Sequence, residues 1–155
     1  MTAVWRRRLV EAGALVAPLG ALGSLAGCTS YTGSPAHQIA EWASIATVTS
    51  NNQLVVQDIA ALRLSIRKDL LKDVTSNCAG LAFDAGTAYD NLPTPDKALT
   101  NELNVAYVDF TNAGTSCAAA SDVHSHPVTA AMATIAVGVV ALDQATRRLA
   151  AAGVR

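Results

Sequence analysis

The sequence predicts an all-α fold: an antiparallel four-helix bundle with a short leading helix, preceded by a cleaved signal peptide. Three observations point to it. Apolar residues recur at steps of three and four in four successive segments, the spacing that keeps one helical face apolar. Alanine is abundant and aromatics make up only 5% of the 155 residues, which suits close helix packing better than a sheet with alternating Val, Ile, Tyr and Thr. Proline, hydroxyl and acidic residues punctuate the segments where helices start and stop.

Residues 1–27 come first. Arg6, Arg7 and Arg8 form a positive n-region, and Leu9 to Ala26, mostly Ala, Leu, Gly and Val, form an apolar h-region. That run is short and glycine-rich and contains Glu11 and Pro18, so it reads as a removable export signal rather than a spanning helix. Residues 28–34 are small and polar and predict a flexible tether. Residues 35–155 form the bundle domain, a length that suits one core.

Ser34 and Pro35 predict a short leading helix, with a hydroxyl cap and proline at its first position. Ser50 with Gln53 is a capping-box match for a helix through Arg67, with Val55, Ile59, Leu62 and Ile66 on one face. The next helix spans 70–91, with Leu71, Val74, Cys78, Leu81, Ala85, Ala88 and Leu92 in register. The junction between these two has neither Gly nor Pro. A single helix over 51–91 would be about 60 Å long, with no neighbour able to cover it, so a tight break is expected with Asp69 as the next cap. Leu92-Pro93 ends that helix, and Thr94-Pro95-Asp96 opens one over 96–120, with the Thr94 hydroxyl as its cap and Asp96 as an acid facing the positive helix end, carrying Leu99, Leu103, Ala106, Phe110, Ala113 and Cys117. Ser125-His126-Pro127 opens the last helix. Its stripe is Val128, Met132, Ile135, Val139, Leu142 and Leu149, with Thr146 filling the gap, and Gly153 ends it.

Leu25-Ala26-Gly27-Cys28 closes the export segment. It resembles the lipobox of bacterial lipoprotein precursors. The resemblance implies cleavage before Cys28 once its thiol carries a diacylglycerol. It also implies a chain anchored to the extracytoplasmic face of the cell membrane, with the lipid bilayer as partner through the acylated Cys28. Two acyl chains suffice for stable anchoring, at about 0.8 kcal/mol per buried CH₂. Arg6-Arg7-Arg8-Leu9-Val10 only faintly resembles a twin-arginine signal, so the general secretory route is the expected one.

Cys78 and Cys117 then remain, both on apolar faces. Outside the cytoplasm two inward-facing cysteines usually pair; the alternative is two separate buried thiols. A bridge would stabilise the fold by about 4 kcal/mol in the chain-entropy picture. A tight hairpin bent near residue 93 would set Cys78 opposite residue 108 or 109, about 12 Å short of Cys117. An extended Leu92–Pro95 segment or tilted helices must supply that stagger. The run Cys78, Leu81, Asp84, Ala85, Ala88, Leu92-Pro93-Thr94-Pro95-Asp96, Leu99, Leu103, Phe110, Ala113 and Cys117 also resembles a family of small helical exported proteins and lipoproteins of actinobacteria, over residues 54 to about 150. That resemblance implies a disulfide-linked helical bundle outside the membrane, with no assigned activity.

From Cys28 onward the chain carries eight Lys or Arg against eleven Asp or Glu. With no basic patch interleaved with aromatics, nucleic acid is not an expected partner. His124 and His126 are the candidate metal ligands, with His37 or Asp122 to complete the set; the alternative is solvated loop residues at a helix start. Neither Glu41 nor Glu102 has a histidine three residues on, which excludes a di-iron carboxylate bundle. Gly-x-Ser-x-Gly, a Gly-rich phosphate loop and His-Glu-x-x-His are all absent from the sequence, so neither catalytic residues nor a cofactor is expected. The acids Asp58, Asp69, Asp73, Asp84, Asp90, Asp96, Asp109 and Asp143 read as solvated faces and caps rather than an acid–base pair, and Trp42 as a lid on the bundle end. The expected function is a non-enzymatic cell-envelope module that binds an envelope protein or small ligand; the alternative is a metal-binding envelope protein using His124 and His126.

Overall fold

The computed structural model describes residues 31–155; the expected signal peptide and Cys28 lie outside the described residues. Among these residues there are five helices and no strand: α1 (Pro35–Ile45), α2 (Val48–Arg67), α3 (Leu71–Tyr89), α4 (Lys97–Ala118) and α5 (His126–Ala151). They form a helical bundle in which α3 packs on α2 and α4, α4 packs on α5, and α1 touches α2 and α5. Tyr31 packs against the same core, so the stretch expected as a free tether is tied down from Tyr31 onward.

The faces of α3 and α4 are buried as their spacing predicts, from Val74 to Ala88 and from Leu99 to Cys117. The α5 face departs from expectation. Val128, Ile135, Leu142 and Leu149 are buried, but the positions between them are Ala131, Gly138 and Ala145. Met132 and Val139 are only half-buried and Thr146 is exposed. Close approach is the reason: a Cβ on Gly138 would stand 2.6 Å from the Phe110 ring. At that separation small residues occupy the seam and larger ones are turned to its edge. Near its end α2 similarly buries Ser65 in place of Ile66, and Ser65 accepts a hydrogen bond from Asn77 Nδ2 at 2.9 Å.

Helix ends differ from expectation at three places. The second helix starts at Val48 rather than after Ser50, behind Thr47 at φ 48°, with no side-chain cap. Val48 is buried in the corner, and Asn51 Nδ2 donates to the Ala46 carbonyl at 3.1 Å, so burial and a side-chain tie replace the capping box. Asp69 does not cap α3; Leu70 holds that position without a side-chain bond. Asp69 instead closes α2 at φ 55°. Its N–H donates to Ile66 O and the Leu70 N–H to Ser65 O, each at 3.1 Å. This is a Schellman closure made with aspartate, which tolerates the left-handed region better than most residues. It breaks the 51–91 stretch without glycine or proline. The third difference is at α4, where Asp96 is the cap and its Oδ1 accepts the Leu99 N–H at 2.7 Å. The Thr94 hydroxyl donates to the Asp96 carbonyl and braces the loop. The last helix ends where expected, at Gly153 with φ 87° and the Val154 N–H returning to Leu149 O.

Cys78 and Cys117 are joined in a disulfide, with Cα atoms 5.7 Å apart. With these two residues level, the first turns of α4 run past the end of α3, and this overhang supplies the required stagger. The lid sits at that end: Trp42 of α1 is buried, and its Nε1 donates to Asn91 O at 3.2 Å, just beyond α3.

Candidate functional site

Sequential neighbours pack closely in this bundle, but α2 and α5 do not pack side by side. Between them runs a groove of about 670 Å³. Val56 of α2 and Leu142, Leu149 and Val154 from the α5 side give it apolar surface, while Thr49, Asn52, Gln53, Asp143, Thr146 and Arg155 supply polar groups. Asn52 links this groove to the core. Its Oδ1 accepts a 2.7 Å hydrogen bond from the hydroxyl of Tyr107 on α4, a residue only 1% exposed. Burial pushes the Tyr107 phenol above its usual titration range, so it stays a neutral donor and fixes the Asn52 amide. The apolar surface and the oriented amide together suit a small ligand with one polar end.

The opposite side of the groove is rigidly held. Arg148 of α5 grips Glu102 of α4 with two hydrogen bonds, Nε to Oε2 at 3.0 Å and Nη2 to Oε1 at 2.8 Å, the paired geometry that gives guanidinium–carboxylate contacts their directional strength. By length and composition α5 could cross a membrane. Eight of its residues, Val128 to Leu149, are buried in the bundle, while Val137 and Val140 stand exposed.

A second constellation was not foreseen. Asp58 of α2 and Asp84 of α3 face each other. The Asp58 Oδ2 is withdrawn from solvent with no hydrogen-bond partner. A Cβ on Gly80 would lie 3.5 Å from Asp58 Oδ1, an ordinary van der Waals contact, which sets the Asp58 carboxylate against α3. Desolvation, then the proximity of the Asp84 carboxylate, raise the Asp58 pKa from its usual 3.8 to about 6. Two carboxylates only accept hydrogen bonds, so they bond to each other only when one holds a proton. The expectation of scattered, solvated acids therefore fails for this pair. The signal available in the sequence was position: Asp58 directly precedes Ile59, and Asp84 directly precedes Ala85, so both acids border the apolar stripe rather than oppose it.

The histidines do not assemble with a third ligand. His124 is exposed with its Nε2 3.6 Å from Asp69 Oδ1, and Asp122 Oδ1 accepts the backbone N–H of His124 at 2.7 Å. His126 borders a separate pocket of about 330 Å³ beside Asn112, Ser116 and Thr134. His37 stands on α1, which meets the chain past the end of α3, whereas His124 lies beside Asp69 before its start. Among the described residues no three His, Cys, Asp or Glu side chains converge to hold a metal ion, so His37 and Asp122 do not complete the expected set. No protein-family model matches this chain, no curated protein matches it, and no solved structure matches it.

Proposed function

We propose that this protein is a lipid-anchored binding module of the cell envelope, without enzymatic activity, that holds a small ligand or a segment of an envelope protein in the α2–α5 groove. The observation that carries the reading is the groove itself, an apolar seam with one amide oriented from beneath by a buried tyrosine. Placement outside the cytoplasm draws on the Leu25–Cys28 motif and on a core disulfide that suits an oxidising compartment. An antiparallel course of the bundle helices is supported by paired contacts. Ser65 meets Asn77 while Asp58 meets Asp84. Cys78 meets Cys117 while a Cβ on Gly114 would touch Ala82. Glu102 meets Arg148 while Phe110 meets Gly138.

Two measurements on the full chain expressed in a bacterial host test the proposal. Intact mass of the membrane fraction should show residue 28 at the N-terminus carrying a diacylglycerol, and Cys28→Ser should abolish both the modification and membrane retention. Native mass spectrometry of the envelope-extracted protein should show a bound species that is lost in Thr146→Trp, which plugs the groove from an exposed position. An unmodified Cys28 defeats the anchoring, and a bound species unchanged by Thr146→Trp defeats the groove.

A further inference from the structure

We propose that the α2–α5 groove takes an aliphatic carboxylate, a fatty-acid anion whose head accepts hydrogen bonds from the Asn52 side-chain nitrogen and whose chain lies along Val56, Leu142 and Leu149. The inference rests on the groove reading above and names the ligand class of that site.

The direction of one amide carries it. Tyr107 is 1% exposed, and among the described residues its hydroxyl has one partner, Asn52 at 2.7 Å. A phenol can donate or accept, whereas an asparagine offers an oxygen that accepts and a nitrogen that donates. If the phenol accepted from the amide nitrogen, its own proton would be buried with no acceptor, the costly case. Donation to Oδ1 satisfies that proton. The oxygen therefore turns to the core and the nitrogen to the groove that Asn52 lines. Among the described residues Nδ2 has no hydrogen-bond partner, and it is not withdrawn from solvent. The floor of the groove thus presents N–H donors and asks for an acceptor.

The surrounding charge agrees in sign. Three reversals of direction, from α2 through α3 and α4 to α5, leave α2 and α5 antiparallel. Thr49 and Asn52 then lie toward Arg155, and Val56 toward Leu142. The Thr49 hydroxyl adds a donor and Arg155 a positive charge at one end, which together complement an anion. Asp143 lines the groove on the Leu142 side, about 9 Å along the helix from Leu149. Leu142 and Leu149 are buried walls about 10 Å apart, and Val56 opposite them is 53% exposed, apolar surface that a bound chain would cover. A lining that follows two helix axes over this distance suits an unbranched chain. The volume of about 670 Å³ falls within the range of small-ligand sites. On the proposed anchoring, α1 begins seven residues after Cys28 and touches both α2 and α5, which holds the groove near a bilayer, where fatty chains concentrate.

Photolabelling of the full chain in phosphatidylcholine nanodiscs tests the ligand class. Two probes carry a diazirine at the far end of the same alkyl chain, one a decanoate and the other a decylammonium. The decanoate probe should label groove residues around Val56 and Leu142, mapped by tandem mass spectrometry, and unlabelled decanoate should compete with it. Asn52→Asp keeps an oxygen for the Tyr107 hydroxyl and replaces the donor with a negative oxygen. Decanoate labelling should fall at least about tenfold in that variant, while decylammonium labelling rises. Arg155→Gln, at an exposed position remote from the core, should weaken decanoate labelling about threefold and guards against a folding defect in Asn52→Asp. Decanoate labelling that misses the groove, or that neither variant changes, overturns the inference. So does a wild type that takes the decylammonium probe better than the decanoate. If decanoate fails while an envelope-extracted species is still lost in Thr146→Trp, the groove stands and only its assigned ligand falls.

Discussion

Two glycines in helix interiors should respond in opposite directions to the same substitution. At Gly114 on α4 an added Cβ would lie 2.6 Å from the Cys78 carbonyl oxygen, 2.7 Å from the Ala82 nitrogen and 2.9 Å from the Ala82 Cβ. The two closest atoms are backbone of α3, and the disulfide at Cys78 and Cys117 pins that face three residues away. The helices cannot part locally without straining the bridge. Overpacking of this kind costs about 1–3 kcal/mol, and backbone neighbours place it toward the top of that range. Alanine recovers about 1 kcal/mol through helix propensity, leaving Gly114→Ala less stable by about 1–2 kcal/mol. At Gly86 on α3 a Cβ meets nothing within 4 Å, so only the propensity gain remains and Gly86→Ala should be more stable by about 0.5–1 kcal/mol. Thermal unfolding followed by circular dichroism, with the disulfide verified intact, should show Tm falling by roughly 5 °C for the first and rising by roughly 3 °C for the second. A Gly114→Ala protein melting at or above the wild type would refute the close approach of α3 and α4. Equal shifts of the same sign would show that propensity alone governs both sites.

Removing the bridge with Cys78→Ala and Cys117→Ala should cost about 4 kcal/mol for a loop of this separation, 39 residues, read as the loss of urea midpoint relative to the oxidised wild type. Tyr107→Phe leaves the Asn52 amide oxygen without its buried donor and should lower stability by about 1–2 kcal/mol in the same urea titration, with Asn52 exchanging faster by NMR. Asp58→Asn should act with a definite sign. The folded-state pKa of Asp58 is raised, so its contribution to stability is fully present below about pH 3.8 and is lost as pH rises through about 6. The variant should therefore be more stable than the wild type at pH 7.5, by about 1–2 kcal/mol after allowing for solvent screening of a partly exposed group. The gap should narrow at pH 4.5 and close only below about pH 3.8, and urea titrations at three pH values check it.

The features legible in one dimension were those written by local chemistry. The stripes of α3 and α4, the Ser34-Pro35 start and the Gly153 stop follow from spacing, capping and a residue free to take positive φ. The cysteine pairing followed from two thiols facing inward. What the spacing could not convey was how near the helices come. Gly138 sits in the α5 seam because a Cβ there would meet the Phe110 ring, and Ala131 and Ala145 are buried along the same face, yet beside Met132 and Val139 they look like the weaker hydrophobic choice. Asp69 resembles a cap in sequence and becomes one only for the preceding helix, because handedness at one residue decides which helix it serves. The Asp58–Asp84 pair depends on the register of α2 against α3, which no single segment encodes. The α2–α5 groove is space left between helices, and it exists only once all of them are in place.

The packing of Tyr31 sets the scale of any leash to the membrane. On the proposed anchoring, Tyr31 follows Cys28 by three residues, and a fully extended chain of that length reaches about 10 Å. A bilayer's headgroup layer is itself about 5–7 Å deep on each side. A domain gripped so close to its lipid would ride on the headgroups instead of swaying above them. It would then meet its partners in a thin layer hugging the bilayer, where two dimensions of diffusion replace three.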